Sequence, residues 1–173
     1  MDPSQYDAAA TLRDGGPVRL RALRPGDRAA LQDGFAHLSE RSIYQRFFQT
    51  KRELTDTDLK YLTELDFVDH VGLVAVIPGG TPEGQIIGVG RFVRGQHRET
   101  AEVAFVVGDD FQGRGVATLL LEHLARIARA VGVSTLEADV LPDNTQMLEV
   151  FQHSGLSMEE RVRDGVVHVR LDL

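Results

Sequence analysis

The chain of 173 residues is 42% apolar and 26% charged, enough for one domain with its own core and an ordinary charged surface. It has no cysteine, which excludes disulfides, thiolate metal sites and a cysteine nucleophile. Its net charge of −7 disfavours nucleic acid and suits a cationic partner such as an amine or a lysine side chain.

Residues 1–16 are polar and Ala-rich, lack the apolar stretch of a secretory signal, and read as a flexible tail. That leaves 17–173 as the domain. No apolar run approaches the ~18 residues of a membrane span, which with the missing cysteine fits a cytoplasmic protein. Residues 18–23 alternate apolar and polar with period two and predict a strand. Arg24-Pro25-Gly26 breaks it, and Asp27 can cap a helix running to about Leu38. Ser39 can cap a second helix with Ile43, Tyr44, Phe47 and Phe48, and Thr55 or Asp56 a third with Leu59, Leu62 and Leu65. Residues 70–77, 85–93 and 99–107 follow as three strands of an antiparallel meander.

The period then changes. Val116, Leu119, Leu120, Leu124, Ile127, Ala128 and Val131 recur at spacings of three and four, which predicts a helix with one buried face, ended by Gly132. Residues 135–141 read as a strand, and Pro142-Asp143-Asn144 opens a short helix bearing Met147, Leu148 and Phe151, closed by Gly155. Residues 157–163 and 166–173 flank Asp164-Gly165, a hairpin signal. The fold class is α/β (α+β): a mixed, mostly antiparallel sheet of about seven strands with helices on its faces.

The chemistry concentrates at Gln112-Gly113-Arg114-Gly115-Val116-Ala117. Here a strand runs through a Gly-containing loop into a helix. The first turn, Val116, Ala117 and Thr118, leaves backbone N–H groups unpaired at the positive end of the helix dipole. Gly113 and Gly115 carry no side chain to block close approach, so the loop can seat a phosphate or pyrophosphate, with Arg114 as an added cation. A P-loop would need Gly-Lys-Ser/Thr, which is absent, and Thr118 stands where a dinucleotide fingerprint has its third glycine.

This segment resembles the Gln/Arg-x-x-Gly-x-Gly/Ala signature of GNAT acetyltransferases. Asn144, Phe151 and Gly155-Leu156 are similar in spacing to that family's second signature. The resemblance implies acetyl-CoA as cosubstrate. It places the CoA pyrophosphate on the loop amides, the pantetheine arm along Val106 and Val107, and Asn144 beside the pantetheine. Phe151 stands where many relatives have a tyrosine that protonates the leaving thiolate. Tyr44, Tyr61 and Ser154 are nearby alternatives, and water can serve, because a thiol pKa of about 8.5 makes the thiolate a fair leaving group. Freeing a lysine amine at pH 7 costs roughly 4–5 kcal/mol, so a base matters more. Glu102 is the candidate. Its sequence neighbours Ala101 and Val103 are apolar, which predicts partial desolvation and a raised pKa, and the resemblance implies a base here, where several relatives carry theirs. The six histidines show no ligand spacing, so no metal is expected.

A second resemblance, through Ser42-Ile43-Tyr44-Gln45-Arg46-Phe47-Phe48, Leu65-Asp66-Phe67-Val68-Asp69-His70-Val71 and Ala101-Glu102-Val103-Ala104-Phe105, is to the GNAT domains of bacterial protein lysine acetyltransferases. It implies an AMP-forming acyl-CoA synthetase as protein partner. Those enzymes often carry a synthetase-like or cyclic-nucleotide-binding domain. With 173 residues, this chain reads as a stand-alone enzyme or as one domain of a longer one. A small-amine acetyltransferase and a non-catalytic acyl-CoA sensor stay open as alternatives, as does the oligomeric state.

Overall fold

A computed structural model describes residues 1–49 and 51–173. Eight strands form one sheet in the order β1-β2-β3-β4-β5-β6-β8-β7. They are β1 (Asp7–Thr11), β2 (Pro17–Ala22), β3 (His70–Gly79), β4 (Thr81–Arg94), β5 (Thr100–Val107), β6 (Thr135–Val140), β7 (Ser157–Arg163) and β8 (Val166–Asp172). Every adjacent pair is antiparallel except β5 and β6.

The tail expected over residues 1–16 is not one. Asp7–Thr11 pairs along its whole length with β2, and the Tyr6 hydroxyl lies 2.6 Å from His123 Nδ1. Apart from Thr11, the segment Asp-Ala-Ala-Ala-Thr has none of the branched or aromatic residues that signal a strand. It pairs because β2 offers it an edge, which local sequence does not report.

Helices cover both faces. On one side α4 (Val116–Ala130) and α5 (Thr145–Gln152) close the main core, where Leu120, Leu124 and Ile127 meet Leu73, Phe92, Val103 and Leu136. Two glycines set this spacing. A Cβ at Gly88 would stand 2.8 Å from Val116, and one at Gly90 would stand 3.0 Å from Leu124. Backbone and helix therefore touch directly, which fixes the height of the α4 N-terminus over the sheet.

On the other side lie α1 (Arg28–Ala36), α2 (Glu40–Phe47) and α3 (Asp56–Thr63), around Phe35, Ile43, Leu54, Leu59 and Leu62. Ser39 and Thr55 cap α2 and α3 as their sequence predicts, accepting from the N–H of Ser42 and Asp58. Asp27 behaves differently. Its carboxylate caps no turn of α1. It takes both Arg21 nitrogens, at 2.8 and 2.9 Å, and the Arg24 N–H at 2.8 Å. Burial pushes this carboxyl up, but the Arg21 and Arg24 bonds outweigh it and hold it below the usual range.

Both partners of this pair are less than a tenth exposed, and it fixes where β2 turns into the helical layer. Asp27→Ala would strand the Arg21 guanidinium in the interior. The expected loss is about 3–5 kcal/mol in a denaturant unfolding curve.

Candidate active site

Strands β5 and β6 pair for three residues only, Thr100 to Glu102 against Thr135 to Glu137. Past that point they part, and β5 from Val103 to Val107 has a partner on its β4 side alone. Phe151, 1% exposed, is packed in this fork with its ring 6.1 Å from that of Phe105. The aromatic side chain fills the wedge, which accounts for a large apolar residue at this place.

A cleft of about 420 Å³ opens along the unpaired edge. Val106, Val107, Gln112, Gly113, Gly115, Val116, Ala117, Thr118 and Asn144 all line it. Gly113 and Gly115 have φ of 78° and 86°, in the left-handed region, so the turn into α4 depends on them. The first-turn N–H groups of Val116, Ala117 and Thr118 take part in no hydrogen bond found among the described residues, as helix geometry dictates. This cradle fits a pyrophosphate: free donors, a dipole of the right sign, and no Cβ in the way. Gln112 braces the loop, its Nε2 donating to Val107 O at 3.2 Å and to Ser42 Oγ at 3.3 Å. Asn144 caps α5, accepting from the Met147 N–H.

Arg114 sits elsewhere than expected. Its guanidinium is held by Asp14 at 2.7 Å and lies over Phe111, so it ties the β1–β2 turn to the loop. Arg13 takes the place lining the cleft. Its N–H bonds Arg114 O, and its side chain crosses Gly115, where a Cβ would come within 3.1 Å of it. No local signal marks Arg13, because it enters through a strand that the sequence conceals.

A second cleft, of about 300 Å³, holds Glu102, Asp139 and Phe151. It meets the first at Gln45, Arg46, Phe105, Asn144 and Met147. Glu102 is exposed, which corrects the expected desolvation. Ala101 and Val103 flank it in sequence but are buried on the opposite face, since strand neighbours alternate. Of the alternative proton donors, Tyr61 lies tilted against the His70 ring and Ser154 Oγ donates to Phe151 O at 2.7 Å. Neither lines the two clefts.

Helix α2 forms a wall of both clefts and is tied to the loop. Asp109 accepts from Ser39 N at 3.0 Å and from Ser42 Oγ at 2.6 Å. Burial raises the Asp109 carboxyl, and these two serines bring it below the usual range. Against α3 lies a polar group on the face of the sheet. Arg91, 5% exposed, donates to His70 Nε2 at 3.0 Å. Burial lowers His70 to about 4, Arg91 and Arg46 adding to the effect and Asp66 opposing it. Burial and then the Arg46 charge lower Arg91 to about 9, while Tyr61 opposes the shift.

Residues 39–156 match the acetyltransferase (GNAT) family. The chain belongs to that family. This GNAT chain is 39% identical over 163 residues, 94% of its length, to acetyltransferase Pat of Mycolicibacterium smegmatis, of which it spans 47%. It therefore spans about half the length of that relative. The GNAT domain of S. lividans PAT superposes with a TM-score of 0.87 at 39% identity, over 96% of this chain and 97% of that one. YncA of Salmonella typhimurium, solved with its cofactor acetyl-CoA, shares the fold at 20% identity, with a TM-score of 0.70 over 90% of this chain and 92% of that one. Among the described residues, no group of three or more His, Asp or Glu side chains could hold a metal ion, and no helix is long and apolar enough to cross a membrane.

Two outcomes follow. Arg13→Ala should weaken CoA binding about tenfold by calorimetry and flatten its salt dependence, at unchanged melting temperature. His70 titrates near 6.5 when unfolded and near 4 when folded, so the unfolded chain binds the proton first. Stability is then full above pH 6.5 and falls as pH drops toward 4, by on the order of 3 kcal/mol. Arg91, Arg46, Tyr61 and Asp66 surround the ring, and His70→Gln should flatten this acid limb in urea melts across pH.

Proposed function

We propose that the protein transfers the acetyl group of acetyl-CoA to the side-chain amine of a protein lysine, on an AMP-forming acyl-CoA synthetase, with Glu102 as general base. One observation carries this reading. The cleft that holds Glu102 opens directly into the cleft that ends on the α4 N-terminus, so a donor and an acceptor can meet at Phe105 and Asn144.

The chain's own groups divide the work. The amides of Gly113, Gly115 and the first turn of α4 bind pyrophosphate oxygens, with Arg13 beside them. The free edge of β5, Val106 and Val107, offers backbone groups to the pantetheine amides. Glu102 takes a proton from the lysine ammonium, whose release at pH 7 otherwise costs roughly 4–5 kcal/mol. The freed nitrogen attacks the thioester carbonyl carbon, a C–N bond forms, and the C–S bond breaks. The nitrogen, cationic after attack, sheds its second proton to water as the amide forms, and the thiolate collects a proton from water, since Phe151 has none to give. No serine elbow or cysteine is available for an acyl-enzyme, so attack in a ternary complex is the economical path.

The exposure of Glu102 supports a macromolecular acceptor. A lysine on a protein surface can reach an open carboxylate without entering a channel. The relatives named Pat and PAT support it further. A chain of this acidity also draws in cationic groups.

The decisive experiment measures CoA release from acetyl-CoA with a purified acetyl-CoA synthetase beside a panel of small amines. Wild type should release CoA with the synthetase and leave acetyl-lysine detectable by mass spectrometry. Glu102→Gln should lower kcat by about 10²–10⁴-fold while CoA affinity is retained. Release with small amines alone would move the acceptor to that class. An unimpaired Glu102→Gln would remove the carboxylate from the mechanism.

A further inference from the structure

A third cavity, about 100 Å³, lies between the α1–α3 layer and strands β4 and β5. Its wall is apolar, with Phe35, Phe47, Leu62 and Val89, apart from two guanidinium groups, Arg46 from α2 and Arg91 from β4. Arg91 uses only Nη1, toward Leu62 O at 3.3 Å and toward His70 Nε2, and burial keeps His70 neutral at pH 7. Its Nη2 and Nε make no hydrogen bond among the described residues. Arg46 makes none with its guanidinium either, and rests 4.9 Å above the Phe47 ring. No described carboxylate stands within ion-pair distance of either group.

Arg91 is buried and Arg46 half-buried, and Glu102, beyond ion-pair distance, is the carboxylate whose charge favours the Arg46 cation. Two like charges so weakly neutralised inside a protein are costly, and natural cores avoid the arrangement unless something closer pairs with them. Five-donor planar forks with free edges match a carboxylate in two parallel hydrogen bonds. The volume equals that of about three waters, enough for a carboxylate on a short chain, and the apolar wall suits that chain's methylenes. The cavity is also placed beside the reaction. Arg46 lines all three cavities, Val106 is shared with the CoA cleft, and Ala104 with the cleft of Glu102.

We infer that the pocket between Arg46 and Arg91 binds a carboxylate, carried either at the end of a short acyl chain on the CoA thioester or on the acceptor amine. This deepens the acetyltransfer reading, and its catalytic arms rest on that reading. The bound carboxylate would neutralise the arginine pair and hold the reactant that bears it against β5. A substrate lacking the group would leave the two charges unpaired and bind less well.

The first test does not need turnover. Butyrate is titrated into the ¹⁵N-labelled full chain, with n-butanol as the uncharged control. Butyrate should move the Arg91 side-chain Nε–H signal and the backbone signals of Val89 and Ala104, with saturation, while butanol should not. Arg91→Gln should abolish the saturating shifts, and Arg91→Lys, which keeps the charge and loses the fork, should weaken binding severalfold. If Arg91→Gln does not fold, Arg46→Gln takes its place in the titration. Absence of shifts with wild type, or the same shifts in the variant, overturns the inference.

Two substrate pairs then distinguish the carrier. A preference of tenfold or more for succinyl-CoA over butyryl-CoA assigns the acyl chain. The same preference for L-lysine over cadaverine, with acetyl-CoA, assigns the acceptor. In either case Arg91→Gln should erase the preference. Equal use of both members in both pairs by an active protein overturns a role for the pocket in substrate choice. If butyrate binds yet no acyl group is transferred to any acceptor, the pocket stands and the transferase reading falls.

Discussion

The parting of β5 from β6 governs this molecule. Three residues of parallel pairing hold the two strands together, and then each goes its own way. A sheet edge inside a folded domain is costly, because its N–H and C=O groups need partners. Here the open stretch from Val103 to Val107 becomes the floor on which a ligand's amides can pair. Phe151 keeps the fork apart by filling it from below with its ring against Phe105. An aromatic wedge at that place is thus explained by packing, and its missing hydroxyl is a consequence for proton transfer rather than a defect in the fold.

Everything near the fork is fastened to it from several directions. Helix α4 lies close on β4 because Gly88 and Gly90 present no side chains, which brings its N-terminus to the mouth of the cleft. The β1–β2 turn is latched onto the loop by Asp14 and Arg114, and this delivers Arg13. Helix α2 is latched from the other side by Asp109 through Ser39 and Ser42. The two clefts consequently share walls, and a shift of α2 would be felt in both. The polar group of Arg46, Arg91 and His70 sits where those walls meet, in an otherwise apolar layer.

Much of this was legible in the sequence. The caps at Ser39 and Thr55 are local chemistry, a side-chain oxygen three residues before a bare N–H, and both form, with Thr55 rather than Asp56 taking the second. The meander, the amphipathic α4 and the terminal hairpin follow from periodicity. The Gly113–Gly115 turn is legible because the left-handed backbone demands glycine. Strand β1 was hidden, since an Ala-rich edge strand is chosen by its neighbour rather than by its own residues. Glu102 was placed on the right strand but in the wrong surroundings, because residues adjacent in sequence face opposite sides of a sheet. Arg114 was given the role of a cation at the cleft, yet an aspartate a hundred positions away claims it.

The sequence by itself determined the family, the order of elements after β1, and the left-handed glycine turn that opens α4 with bare N–H groups. These depend on spacing and on backbone conformation within a few residues of each other. Only the tertiary structure decided what surrounds each charge: Arg13 at the cleft, Glu102 in the open, and Arg46 with Arg91 in an apolar pocket. The electrostatics of a site are sums over groups from many elements. A chain read residue by residue carries the groups but not the distances between them.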